Sequence, residues 1–484
     1  MNYYMLRIKC GKNGDDDPDR IRKFIESSNL VGIGAPEETR GSDRFEHLTE
    51  GEHAVVLSQS LPLAFVEIID NESKPFTLSE TFPDFNWLEL VRKVRVISWY
   101  EDDKDRLSLP TFPPNSWGPG TFKLVDGNRD LIEQWHGAIM NEQTMKLHSD
   151  LLCEIQDLVG EKLQVILTGA PGTGKTYLAQ EVAAKMILGA PIDSADRIEE
   201  ALEKAGKRVQ YQFVQFHPGY DYSDFVEGIK PRVEKNTSAP EFSLEEGIFK
   251  KFCAAAAVAF DGAEDKKTAP KFVMVIDEIN RADLSRVFGE LFFGLEKDYR
   301  GKEIRTQYDY LKRVPGSDAL KEGFSRFVIP PNLYIIGTMN DIDRSVESMD
   351  FALRRRFGWR EISWEESLAI IDAKIPTASN PELNSATRRI MAAVNNVIIK
   401  DKMELEPAFA LGGAYFKDAA EKSWDDLWRH SIRIILNEYL RGNRCEKSIE
   451  DIEKIWKEEV NKVVPGIYES SVTTEHSDNV DEDR

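Results

Sequence analysis

Three stretches of this chain hold residue types that can handle a phosphate. The first is Gly169-Ala170-Pro171-Gly172-Thr173-Gly174-Lys175-Thr176, a complete GxxxxGK[ST] pattern. Glycines at this spacing let a loop curl so that backbone N–H groups face an anion, and a helix starting at its end adds positive potential. Lys175 then reaches the β- and γ-phosphates of a nucleoside triphosphate, and the Thr176 hydroxyl ligates Mg²⁺. The second is Asp277-Glu278, which closes the apolar run Phe272 to Ile276. Asp277 suits a metal held through water, and Glu278 suits polarisation of an attacking water.

The third stretch is "NLYIIGTMNDIDRSVESMDFALRRRF", Asn332 to Phe357. An apolar strand followed by Asn340 is not ordinary core, because strand ends in a parallel sheet converge on the ligand crevice. Asn340 is therefore a candidate to orient the water. Arg355 and Arg356 are candidates to stabilise charge on the transferred phosphoryl group from a neighbouring subunit. Three consecutive arginines are also compatible with a solvated cationic helix end, and the sequence does not choose between the two arginines.

These residues need a scaffold that brings strand ends together. Residues 151–364 alternate strand-like runs ("QVILTG", "VQYQFVQF", "KFVMVID", "NLYIIGT") with amphipathic helical stretches. That pattern predicts a parallel α/β sheet. Residues 365–464 are helical in period and predict a lid. Residues 465–484 are polar and acidic, as in a disordered tail. Residues 1–118 hold short apolar runs punctuated by Gly, Pro, Asn and Asp, which predicts a small β-rich barrel or sandwich. Residues 119–150 read as a linker, and the Pro- and Gly-rich "LSLPTFPPNSWGPGTF", Leu107 to Phe122, reads as a boundary loop.

The bulk numbers narrow the classes. The chain has 484 residues, 41% of them hydrophobic, and a formal net charge of -21. It would repel nucleic acid and anionic membranes except through a local basic patch. No apolar run approaches the roughly 18 residues of a membrane helix. The N-terminus lacks a signal-peptide layout, so a cytoplasmic location is expected. Cys10, Cys153, Cys253 and Cys445 show no CxxC spacing and read as free buried thiols.

Taken together, the phosphate loop, the Asp-Glu strand, Asn340, the arginines and the helical block resemble the AAA+ ATPase superfamily. Within it, the chain is similar to the McrB family, the motor subunits of modification-dependent (type IV) restriction systems. "GTMNDIDRS" resembles that family's MNxxDR signature through Met339, Asn340, Asp343 and Arg344. "QFHPGYDYSDFVEGIKP" resembles its FHPSYxYEDFxEG segment, and "LGGAYF", Leu411 to Phe416, its IGHSYF segment. The resemblance implies a hexameric ring, a preference for GTP over ATP, Mg²⁺, and a separate McrC-like subunit that carries the nuclease. It also makes Asp343 and Arg344 catalytic candidates beside the γ-phosphate, with Arg355 or Arg356 acting in trans. Two departures stand out: Asp341-Ile342 where the family more usually has Thr-Ala, and Gly413-Ala414 where it has His-Ser. No Pro-Asp…(Asp/Glu)-x-Lys nuclease constellation is evident.

In that family the N-terminal domain varies and selects DNA. Here "NLVGIGA" and "VRKVRVISWYEDD" resemble PUA-like or EVE-like barrels, which take a flipped, modified base into an aromatic pocket. Trp87, Trp99 and Tyr100 are candidate pocket aromatics; Arg92, with Lys93 and Arg95, is a candidate phosphate contact. The competing assignment fills the barrel core with these aromatics. A second function compatible with the phosphate motifs is ATP-dependent protein remodelling of the MoxR type.

Overall fold

The computed structural model describes residues 3–8, 17–33, 45–58, 61–76, 83–85, 88–109, 111–113, 122–125, 128–192, 194–232, 241–309, 327–342, 354–376, 380–401, 405–439 and 446–461. The chain divides into two compact units, 1–145 with 375–385, and 146–374 with 386–484. The expected acidic tail, 465–484, lies outside the described residues. Of the two cysteines that the structure describes, Cys253 is buried, as expected, and Cys153 is exposed.

Among the described residues the first unit is built on a mixed seven-stranded sheet. Its strands are β1 (Tyr3–Arg7), β2 (Leu30–Ile33), β3 (His53–Ser58), β4 (Leu61–Ile68), β5 (Lys74–Pro75), β6 (Leu90–Trp99) and β7 (Phe122–Leu124). They run β2-β6-β4-β3-β1-β7, with β5 also paired to β6. All six residues of β3 are buried. Such a strand must be covered on both faces. Val55 and Leu57 pack with Tyr3, Met5, Phe65 and Trp135. Ala54 and Val56, one residue out of step, pack with Leu6, Phe24 and Val66. The sheet is β-rich as expected. The barrel expectation differs from what is seen: among the described residues no pairing joins β2 to β7, and helices cover both faces instead.

One covering helix, Pro18–Ser28, is delimited by its own sequence. Asp17 accepts from the N–H groups of Asp19 and Arg20, Pro18 supplies a preset φ, and Asn29 ends the helix at φ 55°. Its Ile21, Phe24 and Ile25 are buried. On the other face lies Trp135, from the helix that begins at Arg129. Trp135 is fully buried, and its indole N–H donates to the Ser98 hydroxyl at 2.9 Å. Part of the 119–150 segment therefore contributes core.

Among the described residues the second unit is built on a five-stranded, all-parallel sheet. Its strands are β8 (Gln164–Gly169), β9 (Tyr211–Gln215), β12 (Phe272–Asp277), β13 (Leu333–Thr338) and β14 (Gly358–Ile362), in the order β14-β8-β13-β12-β9. Between β9 and β12 stands a hairpin of β10 (Glu227–Arg232) and β11 (Glu241–Glu246). A buried Lys250–Glu227 ion pair fixes its base. Strand β14, "GWREI", is absent from the sequence expectation. Its charges obscure the pattern: Arg360 reaches Glu154 at 2.8 Å and Glu366 at 2.5 Å, as an edge strand allows. The later helical segments include Trp424–Leu427, Arg433–Tyr439 and Glu446–Asn461, and Trp456 packs against Phe416, Trp424 and Trp428.

In the first unit His53 is buried, with its ring stacked on Phe65 at 5.4 Å and tilted against His136 at 4.9 Å. Burial lowers its pKa; Glu67 and Glu52 oppose this and Arg95 reinforces it. The folded chain thus resists a proton that the unfolded chain accepts below about pH 6.5. Stability from this group is present above that pH and is lost as pH falls through it. In thermal unfolding of the full chain between about pH 7.5 and 5, His53→Phe is expected to flatten the acid-side drop in midpoint. An equally steep drop in the variant would assign the acid sensitivity elsewhere.

Candidate functional site

Strand β8 is buried along its whole length and delivers the phosphate-loop residues, 169–176, at its C-terminal end. The loop is forced by contact as well as by composition. Gly169 has φ 134°, and a Cβ there would sit 2.3 Å from the Ile362 carbonyl oxygen of β14. Only glycine allows that approach. The helix Lys175–Leu188 starts directly after Gly174. The Lys175 ammonium donates to the carbonyls of Gly169 at 3.0 Å and Ala170 at 2.8 Å. Thr173 also donates to Ala170, at 2.8 Å.

The other two motifs meet this loop. Ile276 pairs with Gly337 and Thr338 with Leu167, so β12, β13 and β8 end side by side. One Asp277 carboxylate oxygen accepts from the Thr176 hydroxyl and from the Thr338 hydroxyl, both at 2.6 Å. Thr338 in turn accepts the Glu278 backbone N–H at 3.2 Å. Glu278 adopts φ 51°, ψ 46°, a conformation that costs a residue with a Cβ about 1–2 kcal/mol. Its carboxylate is gripped on both oxygens. The Asn340 amide donates to one at 2.8 Å, and Arg281 lies 3.2 Å from the other. Asn280 donates to the Asn340 carbonyl at 3.4 Å.

The structure thus brings together Lys175, Thr176, Asp277, Glu278 and Asn340. Thr338 is not among the sequence candidates, although its place one residue before Met339-Asn340 marks it as the strand's last inward hydroxyl. Asp341 enters the sequence reading only as a departure from the family pattern. Burial pushes its carboxyl up, Lys175 opposes that shift, and the Gly169 N–H donates to it. Asp341 therefore belongs to the site. Asp343 and Arg344 lie outside the described residues. Arg355 and Arg356 are separated by exposure and by distance to Glu296: the Arg356 side chain is 13% exposed with its guanidinium 2.7 Å from that carboxylate, whereas that of Arg355 is 68% exposed and 3.9 Å away.

The helical part of the same unit closes on the phosphate loop. The Gly412 N–H donates to the Pro171 carbonyl and the Ala414 N–H to the Gly172 carbonyl, both at 3.0 Å. A Cβ on Gly412 would lie 2.2 Å from the Gly172 carbonyl carbon. Backbone therefore meets backbone, and residue 412 must be glycine for it. By contrast, the "QFHPGYDYSDFVEG" segment is chiefly packing: Phe216 and Phe225 are buried.

The N-terminal candidates divide. Arg92 is fully buried. It donates to the Asp70 carboxylate at 2.8 Å and to the carbonyls of Phe45, Leu48 and Asp70. Its expected role as a phosphate contact is corrected: its guanidinium is engaged inside the unit. Tyr100 is likewise core, 5.4 Å from Trp135 and 5.6 Å from Phe112, and does not line an open pocket. The half-buried Trp99 ring is capped at 4.7 Å by the Arg22 guanidinium. Trp87 lies outside the described residues. Lys93 and Arg95 are exposed.

Comparison with known proteins agrees with this geometry. Residues 164–357 match the AAA domain (dynein-related subfamily) family. The Type IV methyl-directed restriction enzyme EcoKMcrB subunit of Escherichia coli K12 is 33% identical over 274 residues, 56% of this chain and 51% of that protein. The Type II restriction enzyme BsuMI component YdiS of Bacillus subtilis 168 is 28% identical over 232 residues, 43% and 59% respectively. The chain therefore spans between half and two thirds of the length of the curated relatives it matches. A solved structure described as an ATPase from Cytophaga hutchinsonii is 13% identical and covers 68% of this chain and 98% of its own. Its TM-score is 0.24, a superposition too loose to bear on the fold.

Removing the hydroxyl that joins Asp277 to the Glu278 backbone tests the site's internal wiring. Thr338→Val is expected to lower nucleotide hydrolysis about 10- to 100-fold through misplacement of Glu278, with nucleotide affinity within about threefold of the parent. Unchanged hydrolysis would mean that Glu278 is held without Thr338.

Proposed function

We propose that the chain, with an AAA+ nucleotide-binding core of the McrB type, is the GTP-favouring motor of a restriction complex that reads modified DNA and drives a separate nuclease subunit. The observation that carries this reading is the Glu278 carboxylate, held between Asn340 and Arg281 at the strand end next to Lys175, Thr176 and Asp277. A binding switch without turnover has no need of a carboxylate oriented on both oxygens. The methyl-directed restriction subunit among its relatives supports methylated DNA as the modified substrate. On β6 exposed Lys93 is the remaining positive contact for it, with Arg95 exposed but paired to Glu67.

The chemistry follows from the arrangement. Lys175 and the loop N–H groups bind the phosphates. Glu278, acting as base, takes a proton from the attacking water, while Asn340 fixes the carboxylate's direction. Thr176 and Asp277 present hard oxygen donors within 2.6 Å of each other, a set that fits Mg²⁺ completed by phosphate oxygens. Mg²⁺ held by Thr176 and Asp277 would neutralise charge developing on the phosphates. Asp343 and Arg344 are assigned to the γ-phosphate side. In a hexameric ring the exposed Arg355 is the trans-acting cation, and Arg356 is its anchor through Glu296.

Hydrolysis of GTP and ATP by the full chain tests the reading, with Glu278→Gln as the blank. GTP turnover is expected to exceed ATP turnover, and Glu278→Gln to lose about 10²- to 10⁴-fold in rate while still binding nucleotide. Arg355→Ala is expected to be inactive alone and partly restored by mixing with Lys175→Ala subunits. A preference for ATP would turn the reading towards MoxR-like protein remodelling.

DNA recognition is tested separately with the full chain and methylated or plain duplexes in moderate salt. Tighter binding of the methylated duplex is expected. Equal affinity would remove the modified-DNA assignment without touching the nucleotide site.

A further inference from the structure

Arg300 is buried, only 9% exposed, and among the described residues no carboxylate lies within ion-pair distance of it. It donates instead to the carbonyls of Leu295 at 3.3 Å and Leu333 at 3.1 Å, and to the Gln164 side-chain oxygen at 2.6 Å. Desolvation pushes its pKa down to about 10, so the cation persists at neutral pH. Burying a charge with carbonyl partners alone is costly. A purely apolar side chain would fill the same space without that cost.

The arrangement accounts for it through Gln164. The Arg300 guanidinium fixes the Gln164 oxygen, which orients the amide nitrogen outward. That nitrogen donates to the Arg356 carbonyl at 2.6 Å and to the Leu295 carbonyl at 3.0 Å. The backbone carrying Arg355 and Arg356 is thereby tied to the first residue of β8. Glu296, next to Leu295, holds the Arg356 side chain at 2.7 Å. Two ties converge on Arg356, while the adjacent Arg355, 3.9 Å from the same Glu296 oxygen at the outer limit of an ion pair, keeps a side chain that is 68% exposed.

We propose that Arg300 and Gln164 are positioning residues that set the direction of the trans-acting Arg355 by clamping the backbone of Arg356. The proposal rests on the reading of Arg355 as acting on a neighbouring subunit's nucleotide. The clamp sits at the N-terminal end of β8, and the phosphate loop at its C-terminal end. A clamp defect therefore falls on the arginine donor and spares nucleotide binding in the same subunit.

Gln164→Glu separates the two halves of the clamp. The substituted carboxylate keeps an acceptor for Arg300, which preserves the buried contact, but it removes the donor to the Arg356 carbonyl. Full-length Gln164→Glu is expected to bind GTP like the parent and to hydrolyse it at least about tenfold more slowly in homogeneous assemblies. Mixing with Lys175→Ala subunits, which have an intact arginine side, is expected to restore hydrolysis. Arg300→Lys, which loses the fork that grips Gln164, is expected to give the same pattern. Parent-like hydrolysis by both variants overturns the proposal. So does a defect that mixing does not rescue while the Arg355→Ala defect is rescued. If Arg355→Ala itself is not rescued, the trans reading fails first and the clamp falls with it.

Discussion

A single carboxylate oxygen of Asp277 accepts hydroxyl hydrogens from Thr176 and Thr338, which come from two different motifs. That shared acceptor ties the start of the phosphate-loop helix to the ends of β12 and β13. Charge-assisted hydrogen bonds of this kind are roughly twice as strong as neutral ones, and they are directional. The left-handed Glu278 depends on it, because its N–H is satisfied by the same Thr338 hydroxyl. The strain there, about 1–2 kcal/mol, is tolerated only while the neighbouring strands hold register. The parallel sheet supplies that register through burial on both faces: β8 and β12 are buried throughout and β13 nearly so, which leaves no exposed residue on which a slip could be accommodated.

The same logic of polar groups fixed by a closed apolar surround recurs away from the phosphates. Arg92 in the first unit and Arg300 in the second are both buried guanidiniums that fasten backbone carbonyls. The difference is in the counter-charge. Arg92 has Asp70 at 2.8 Å, which makes it a self-contained brace. Arg300 relies on carbonyls and an amide, so its hold passes onward through Gln164 to a surface segment. Geometry alone therefore separates a structural brace from a cation whose influence extends to the surface.

Much of the core was legible because its chemistry demands unusual residues at fixed spacing. The loop 169–176, Asp277-Glu278 and Asn340 meet where strand ends of a parallel sheet must meet. Thr338 is hard to see in the sequence because threonine at a strand's end is ordinary by composition; only its neighbours make it a hub. Strand β14 is hidden because Arg360 and Glu361 break its apolar pattern. In the first unit the difficulty is one of facing. Alternation along β6 places Val94 inward and Lys93 and Arg95 outward, and Arg92 shares the parity of Val94. Grouping the three cations as one patch ignores the two-residue period. The choice between Arg355 and Arg356 lies beyond local sequence, since it depends on Glu296, which is distant along the chain.

The meeting of Gly412 with Gly172 has a mechanical meaning. Where two side chains touch, rotamers can yield and absorb a small displacement. Here main chain bears on main chain through two hydrogen bonds, with no flexible group in between. A rotation of the segment that follows residue 411 is thus transmitted to the loop that grips the phosphates with almost no slack. The helical region acts as a rigid lever whose fulcrum is a pair of glycines, so tightening around a nucleotide and tilting of the lever become one movement.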